Sequence, residues 1–263
     1  SAMGCQVPVS WAGGTGEVVA ATNEMVMAEE GCLSVPAIYD SVPRHARIHA
    51  RALGRDGQPF ELEATELALG RRPIAGIDEA GRGPWAGPVV AAAVILDPDN
   101  IPTGIDDSKA LDEDGREIVF RRIVESGAVI ATGIADVGRI DRDNILNATL
   151  WAMSEATRGL TMKPKLAIVD GNRAPRLAFE TRTIIKGDAK CLSIAAASIV
   201  AKVTRDRLMI ALEREYPGYG FARHKGYGTP EHKDALGRLG VCPLHRRSFR
   251  PIQLALGLVE EPA

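Results

Sequence analysis

Two adjacent carboxylates, Asp78 and Glu79, stand where an apolar segment ends. Residues 73–77 predict a buried strand that leads into them, and residues 88–96 form a second apolar run shortly after them. Neighbouring acids repel each other and are costly to hold in a partly buried site, and a divalent cation with oxygen ligands removes that cost. Solvated acids in a β-turn are the alternative. The flanking strands and the residues further along the chain favour a metal site.

A glycine-flanked arginine follows the acids directly. Gly81 and Gly83 carry no side chain, so a ligand can approach their backbone amides closely. Arg82 between them supplies a planar positive group that suits a phosphate. The stretch therefore combines candidate metal ligands with a candidate phosphate contact.

Two further acids follow predicted strands. Asp170 ends one apolar stretch, and Asp188 comes shortly after another. The carboxyl ends of neighbouring parallel strands meet at one edge of a sheet, so we expect these acids to lie beside Asp78 and Glu79. Carboxylates without a His or Cys cluster select Mg²⁺ or Mn²⁺ rather than Zn²⁺. Two such ions can activate a water and neutralise a leaving oxygen, which predicts metal-dependent phosphodiester hydrolysis.

The composition is that of a globular protein with a substantial core. The chain has 263 residues, of which 45% are hydrophobic and 25% charged, enough for one large domain or two small ones. No apolar run reaches the roughly 18 residues of a membrane span. No signal peptide opens the chain, and the four cysteines lack a regular spacing. We expect a cytoplasmic monomer with reduced thiols and no membrane association.

Charge is distributed unevenly along the chain. Residues 1–70 carry 4 basic and 9 acidic side chains, whereas residues 71–263 carry 28 basic and 25 acidic ones. Within the second part, residues 221–250 contain seven Lys and Arg, three His and only two acids, interleaved with Gly and Tyr. A basic segment of this kind favours a nucleic-acid backbone as partner over a merely solvated face.

The predicted elements after residue 70 belong to an α/β domain. A meander of three strands comes first, and helices and strands alternate after it, which favours a mixed sheet with helices packed on it. The predicted strands are at 73–77, 88–96, 127–137, 166–171 and 182–185, and the predicted helices are at 143–159 and 193–215. Before residue 70, residues 47–52 and 60–64 alternate around a Gly-containing connector, which predicts a hairpin in a small β-rich module.

The motifs and their order resemble the ribonuclease HII family over about residues 73–257. The resemblance is carried by residues 76–84 (GIDEAGRGP), 107–109 (DSK), 169–171 (VDG), 186–188 (KGD), 195–206 (AAASIVAKVTRD) and 224–229 (HKGYGT). It implies an RNase H-like fold, with a mixed five-stranded sheet flanked by helices and a helical, basic C-terminal tail. It also implies an endonuclease that cleaves the RNA strand of RNA–DNA hybrids. Such an enzyme further nicks duplex DNA 5′ of an embedded ribonucleotide, leaving 3′-hydroxyl and 5′-phosphate ends.

The resemblance also implies roles for single residues. The catalytic acids, which hold two Mn²⁺ or Mg²⁺ ions in this family, are Asp78, Glu79, Asp170 and Asp188. Gly81, Arg82 and Gly83 match the loop whose backbone reads the 2′-hydroxyl, the group that distinguishes RNA from DNA. Tyr227 matches the tyrosine that stacks on the sugar beside the ribonucleotide. A core or interface tyrosine is the alternative for Tyr227.

Several further residues are weaker candidates. The candidate phosphate contacts are Ser108, Lys109, Lys190 and Ser193. Asp206 could compete as a metal ligand, but its position along a predicted helix favours a salt bridge. His224 could neighbour the site, although a single histidine is more often structural.

Residues 19–68 resemble a second family, peptide deformylase, through the stretch 25–36 (MVMAEEGCLSVP). In that family the cysteine of this stretch binds a metal together with two histidines of a later H-E-x-x-H helix. The chain contains no H-E-x-x-H, and Cys32 alone cannot form a tetrahedral site. We therefore predict a catalytically incomplete module at residues 1–70 and a nuclease domain at residues 71–263.

The role of the N-terminal module stays open. It could support the fold as a cap, bind a partner that the sequence does not identify, or result from a fusion. A binding protein that recruits the nuclease to a partner is therefore the main rival to a nuclease with an inert appendage. Retained deformylase activity is the remaining alternative.

Overall fold

The computed structural model describes residues 61–105 and 111–260, and a five-stranded mixed sheet lies at its centre. Its strands are β1 (Ile74–Ala80), β2 (Val89–Ile95), β3 (Val129–Ala135), β4 (Leu166–Asp170) and β5 (Glu180–Ile184). They lie in the order β3-β2-β1-β4-β5. β1–β2 and β2–β3 pair antiparallel, which confirms the predicted meander, whereas β1–β4 and β4–β5 pair parallel.

Helices cover both faces of this sheet. The α-helices of the described residues are α1 (Glu61–Ala68), α2 (Glu113–Glu125), α3 (Val137–Asp143), α4 (Ile145–Arg158), α5 (Leu192–Glu215), α6 (Phe221–His224), α7 (Pro230–Leu239) and α8 (Arg250–Ala255). A single 3₁₀ turn at Gly187–Ala189 joins β5 to α5. None of the helices in the described part of the chain is long and apolar enough to cross a membrane.

The long helix α5 packs across β1 and β2 on one face of the sheet. Its first ten residues, 192–201, are small or apolar and all buried. A Cβ atom on Gly76 of β1 would lie 2.1 Å from the main-chain carbon of Ser193, so only glycine permits this close approach. The contact brings the N-terminal turns of α5 against the strand that carries Asp78 and Glu79.

Helix α4 covers the opposite face, against β2 and β3. Asn144 caps it, since its side-chain oxygen accepts a 3.0 Å hydrogen bond from the Asn147 amide. Gly133 of β3 provides the close approach here, because a Cβ would lie 2.1 Å from the carbonyl oxygen of Ala152. The predicted helix at 143–159 is confirmed to within two residues at each end.

The sequence analysis did not predict helices α2 and α3. α2 begins after Asp112, whose carboxylate accepts a hydrogen bond from the Gly115 amide, and it packs against α5. α3 begins at Val137, which the sequence analysis assigned to the end of a strand. Asp136 caps α3 through the Arg139 amide, and this cap ends the strand before Val137.

The strand predicted at residues 60–64 is wrong for its described part, because Glu61–Ala68 is helix α1. The segment ELEATELA consists mainly of strong helix formers. Its alternating pattern is also compatible with one helical face, since Ala64 and Leu67 pack into the core beneath α5. Tertiary packing together with helix propensity therefore outweighs the short alternation.

Two acidic side chains join α1 to the sheet domain. Glu63 accepts hydrogen bonds from the amide (3.0 Å) and the hydroxyl (2.8 Å) of Ser193 at the start of α5. Glu66 pairs with Arg71 and, at 2.6 Å, with Arg182 of β5. Residues placed in the N-terminal module by the sequence analysis thus contact the nuclease domain directly. The boundary at residue 70 stays a prediction, and the other residues of the module lie outside the described range.

Candidate active site

Three of the predicted metal ligands share one cleft at the carboxyl edge of the parallel strands. Asp78 and Glu79 lie near the end of β1, and Asp170 is the last residue of β4. These strands are neighbours in register, with Ile77 paired to Val169. The cleft has a volume of about 310 Å³. We call Asp78, Glu79 and Asp170 the acidic side of the cleft.

The three carboxylates perturb one another. Burial raises the pKa of Asp78 well above its ordinary value, and the charges of Glu79 and Asp170 raise it further. Hydrogen bonds from the Glu79 amide, at 2.7 Å, and from Ser198 oppose this rise. A buried carboxylate held near two others is a site that a positive charge stabilises.

Glu79 has a partial counter-charge within the protein. Burial raises its pKa, while Arg82 lowers it by its charge and by a 3.2 Å hydrogen bond to Oε1. Arg82 itself is half exposed at the mouth of the cleft. The arginine between the two glycines therefore reaches both the acidic side and the solvent.

Asp188, the fourth predicted ligand, lies next to the acidic side but does not line the cleft. It belongs to the 3₁₀ turn and is buried, and one of its oxygens accepts a hydrogen bond from the Ala189 amide. The preceding residue makes the link, because the Gly187 amide donates a 2.7 Å hydrogen bond to Asp170. The backbone at Asp188 is thereby held beside the cleft.

The acidic side fits a hard divalent cation by its chemistry. Its donors are carboxylate oxygens, and their mutual repulsion within a buried site is relieved by bound positive charge. Among residues 61–105 and 111–260, no three His, Cys, Asp or Glu side chains are already gathered closely enough to hold an ion.

The opposite side of the cleft is built on the loop of residues 81–83, which the buried Arg246 holds from behind. Arg246 is 0% exposed and donates hydrogen bonds to the carbonyl oxygens of Gly81 (2.5 Å) and Arg82 (2.9 Å). The C=O and N–H of a trans peptide point in opposite directions. The amides of Arg82 and Gly83 are therefore directed away from Arg246, and both residues line the cleft.

A second buried arginine, Arg205 of α5, extends the same support. It is 1% exposed and donates to the carbonyl oxygens of Ala86 (3.2 Å), Pro88 (2.9 Å) and Lys225 (2.9 Å). A Cβ on Gly81 would lie 2.0 Å from Nε of Arg205, which explains why this position, with φ of +96°, is glycine. Arg205 thus joins the loop after β1 to the segment that contains Tyr227.

Tyr227 lines the cleft beside this loop and is 46% exposed. A Cβ built on Gly83 would lie 3.7 Å from its Cε1 atom, so the ring borders the loop of residues 81–83. An exposed ring at a cleft is available to a ligand, which favours the binding role over the core role considered for this residue.

The sequence analysis assigned no role to four of the polar residues that line the cleft. They are Arg116, Ser198, Lys202 and Arg205. The last three follow one another at intervals of four and three residues along α5, so they share one helical face. That spacing could have identified them within the stretch 195–206. Together with residues 81–83 and Tyr227, we call these four the basic side of the cleft.

The structure describes two of the four candidate phosphate contacts, Ser193 and Lys190, and neither of them lines the cleft. Ser193 is 1% exposed and donates both its amide and its hydroxyl to Glu63, so it is not available to a phosphate. Lys190 is exposed outside the cleft and donates to the Ile185 carbonyl. Ser108 and Lys109 lie outside the described residues. Ser193 is therefore corrected to a structural contact, and the other three remain predictions.

Asp206 and His224, for which the sequence analysis also left alternatives open, have structural partners in this fold. Asp206 forms an ion pair with Lys202 at 2.7 Å, one turn earlier on α5, as the sequence analysis favoured. His224 is buried and contacts the Tyr219 carbonyl oxygen and the Gly226 amide through its two ring nitrogens. Neither residue lines the cleft.

Comparison with known proteins gives matches in both parts of the chain. The family model for ribonuclease HII matches residues 75–252, and that for polypeptide deformylase matches residues 16–69. A ribonuclease HII from Azorhizobium caulinodans is 56% identical over 197 residues, which are 75% of this chain and 76% of that protein.

Solved structures show the same fold. The crystal structure of ribonuclease H2 from Pyrococcus horikoshii has a TM-score of 0.59 and 27% identity, and the match covers 70% of this chain and 97% of that one. RNase HII from Archaeoglobus fulgidus, solved in complex with PCNA, has a TM-score of 0.57 and 26% identity, and the match covers 67% of this chain and 95% of that one.

The mixed sheet with carboxylates at its parallel strand ends, facing a basic cleft, defines an RNase H-like nuclease. The family match and the identity to its curated members make the assignment specific: the chain belongs to the ribonuclease HII family. It is a type 2 ribonuclease H, an endoribonuclease that acts on RNA–DNA hybrids.

Proposed function

We propose that this enzyme also nicks duplex DNA at single embedded ribonucleotides. The nick falls on the 5′ side of the ribonucleotide and leaves 3′-hydroxyl and 5′-phosphate ends. The ends follow if the acidic side of the cleft directs a water at the phosphate that precedes the ribonucleotide.

One observation carries the selectivity of this proposal. Arg246 fixes the carbonyl groups of Gly81 and Arg82, which directs the next two amides away from Arg246 in a loop that lines the cleft. These amides are suited to the 2′-hydroxyl, the group by which a protein distinguishes RNA from DNA. A deoxyribonucleotide would leave them without a partner, at a cost of about 1–3 kcal/mol for each group.

The acidic side fits Mg²⁺ or Mn²⁺, which Asp78, Glu79 and Asp170 would hold with Asp188 close by. When bound, divalent ions would lower the pKa of a water molecule and neutralise the charge on the leaving oxygen. The protein positions the carboxylates. The Gly187 amide orients Asp170 by a hydrogen bond, and the Glu79 amide orients Asp78 in the same way.

The basic side binds and orients the nucleic acid. Arg82, Arg116 and Lys202 line the cleft and provide charge for the backbone phosphates. The exposed ring of Tyr227 stacks on the sugar next to the ribonucleotide. The Lys202–Asp206 ion pair keeps the lysine at the cleft without adding a further acid to it.

The test is cleavage of a DNA duplex that contains one ribonucleotide, with Mg²⁺, with Mn²⁺ and with EDTA. We expect a nick 5′ of the ribonucleotide with either ion, a 3′-hydroxyl on the upstream fragment, and no product with EDTA. An all-DNA duplex of the same sequence and an RNA–DNA hybrid are the controls.

Cleavage of the hybrid without a nick at the single ribonucleotide would contradict the proposal while leaving the family assignment intact. Equal cleavage of the all-DNA duplex would contradict the role of the loop at residues 81–83. Cleavage that persists in EDTA would contradict the metal assignment.

A further inference from the structure

We propose that His232 and His245 are positioning residues, which act through a hydrogen-bonded chain that ends at the main chain of Tyr227. The proposal rests on the proposed function, since it assigns these buried histidines a task in presenting the tyrosine ring to the substrate. Neither histidine lines the cleft.

The Tyr227 ring needs support from its own backbone, because nearly half of the residue is exposed. Its amide donates to the His224 carbonyl at 2.9 Å. Its carbonyl oxygen accepts two hydrogen bonds, one from the Thr229 amide at 2.8 Å and one from Nδ1 of His232 at 2.9 Å. The bond from His232 is the only side-chain contact among the three.

The chain continues behind His232 into the interior. Nε2 of His232 lies 3.1 Å from Nε2 of His245, and Nδ1 of His245 accepts a hydrogen bond from the Cys242 amide at 3.0 Å. The Cys242 sulfur lies 3.1 Å from the same nitrogen. A continuous path thus runs from the main chain at Cys242 to the main chain at Tyr227.

The Tyr227 end of the path determines the direction of the bonds. The Tyr227 carbonyl can only accept, so Nδ1 of His232 carries a proton and donates it. Burial lowers the pKa of both histidines, which favours neutral rings. Nε2 of a neutral His232 is then an acceptor, and Nε2 of His245 donates to it. Nδ1 of a neutral His245 therefore carries no proton and accepts from the Cys242 amide at 3.0 Å, although the Cys242 carbonyl oxygen also lies 3.2 Å away.

The surroundings hold the rings in this arrangement. His232 is 0% exposed and stacks on His224, with ring centres 4.5 Å apart, while Trp85 and Phe221 lie at 5.6 Å on other sides. Gly228 packs so closely on Trp85 that a Cβ would lie 2.1 Å from its ring. Packing alone would be served by an apolar ring. The histidine adds a directed donor to the Tyr227 carbonyl.

Two variants of nearly equal size separate the donor from the packing. In His232→Asn, the amide group can occupy the place of Nδ1 and donate to the Tyr227 carbonyl. In His232→Gln, the amide group reaches the place of Nε2, so it meets His245 but not Tyr227. We expect kcat/KM on the single-ribonucleotide duplex to fall about tenfold in the Gln variant and about threefold or less in the Asn variant.

A double-mutant cycle tests whether the effect passes through the tyrosine ring. In a Tyr227→Ala background, His232→Gln should change kcat/KM less than twofold, because there is no ring left to position. An equal loss in both backgrounds would mean a general structural effect and would overturn the proposal. Since His232 variants can fail to fold, His245→Asn serves as a milder variant. It keeps the acceptor for Cys242 and removes the donor to His232, and the same non-additivity is expected.

A second measurement does not depend on activity. ¹⁵N–¹H coupling in the imidazole rings of the full chain should place the proton on Nδ1 of His232 and on Nε2 of His245. The opposite tautomers would overturn the chain of bonds. Failure of the unsubstituted protein to nick the ribonucleotide would overturn the proposed function instead, so the two failures can be told apart.

Discussion

The two sides of the cleft are built by different means. The acidic side stands on regular structure, since its carboxylates belong to adjacent parallel strands whose pairing fixes their positions. The loop of residues 81–83 and Tyr227 on the basic side lie on irregular backbone, and Arg205 and Arg246 hold the carbonyl groups of this backbone and its neighbours from the interior. On the acidic side, strand pairing holds the carboxylates in place although their charges repel one another. On the basic side, the hydrogen bonds from the two buried arginines are favourable, and they are what holds the backbone in place.

This difference predicts opposite responses to substitution. Removing a charge from the acidic side should abolish catalysis and leave stability unchanged or higher. Removing a buried donor from the basic side should lower stability and selectivity together. We therefore expect substitution of an acid to lower activity without lowering stability, and substitution of a buried arginine to lower both stability and selectivity.

The largest effect is expected for Asp170→Asn. The asparagine oxygen can still accept from the Gly187 amide, so the local structure is kept. Loss of the charge should lower the cleavage rate of a hybrid by about 10³-fold or more. Relief of repulsion on Asp78 should raise the free energy of unfolding by about 1 kcal/mol.

Cleavage assays and thermal melting of the same preparation measure both changes. Asp234→Asn, at an exposed position on α7, is the matched control and should alter neither. Retained cleavage in Asp170→Asn would remove this residue from the catalytic set.

The second prediction concerns Arg246→Lys. A lysine cannot reach the carbonyl groups of Gly81, Arg82 and Gly87 at once, so the free energy of unfolding should fall by about 2–4 kcal/mol. Cleavage at a single ribonucleotide should fall more than cleavage of a continuous hybrid, because the amides that meet the 2′-hydroxyl lose their orientation.

Denaturant unfolding and the ratio of the two cleavage rates provide the measurement. The adjacent Arg247 is exposed, and Arg247→Lys tests whether the loss belongs to the buried position. An unchanged ratio in Arg246→Lys would contradict the division between the two sides.

The third prediction is a pH dependence of stability behind the basic side. Burial, together with the neighbouring His232 and His224, lowers the pKa of His245 from 6.5 to about 4. Between these values the unfolded chain binds a proton at this residue and the folded protein does not. Stability is therefore lost as the pH falls through this window, by up to about 3 kcal/mol.

The difference between the unfolding curves of the original protein and His245→Asn isolates this contribution from that of other groups. The same direction holds for His232, whose pKa burial also lowers, whereas the buried carboxyls Glu63, Asp78 and Glu79 act in the opposite sense. A difference that does not change between pH 4 and 7 would contradict the assignment.

The smallest effect is expected for Glu66→Gln. It weakens the ion pairs of α1 with Arg71 and with Arg182 of β5, the edge strand beside β4, and touches nothing on the basic side. Because these pairs are partly exposed, we expect a loss of only about 1 kcal/mol in the free energy of unfolding and unchanged cleavage. Glu125→Gln on α2 is the control. A large loss of activity would show that α1 reaches the site.

The acidic side could be predicted from the sequence because strand pattern and topology determine it. Apolar runs ending in acids indicated β1 and β4, and their parallel pairing brought Asp78 and Asp170 together as expected. The meander and the two long helices followed from the same periodicities. Asp188 was placed less well, since a 3₁₀ turn after β5 carries it and strand pattern says nothing about the direction of a turn.

The basic side could be predicted only in part. Its loop and Tyr227 were found through the family resemblance, but their support depends on contacts between distant parts of the chain. Arg246 meets Gly81 across 165 residues, and no local pattern marks an arginine that serves main-chain carbonyls. Ser193 was misassigned for a similar reason, because its partner Glu63 lies 130 residues earlier on a helix that was read as a strand.

Arg205 and Arg246 also place two positive charges in the interior directly behind the cleft. Their pKa values are lowered to about 10 and about 9, so both remain protonated at neutral pH. Mobile ions screen exposed charges over about 8 Å at physiological ionic strength but screen buried charges much less. The attraction between these two groups and a phosphate held at the basic side of the cleft is therefore less sensitive to added salt than the attraction of exposed surface lysines.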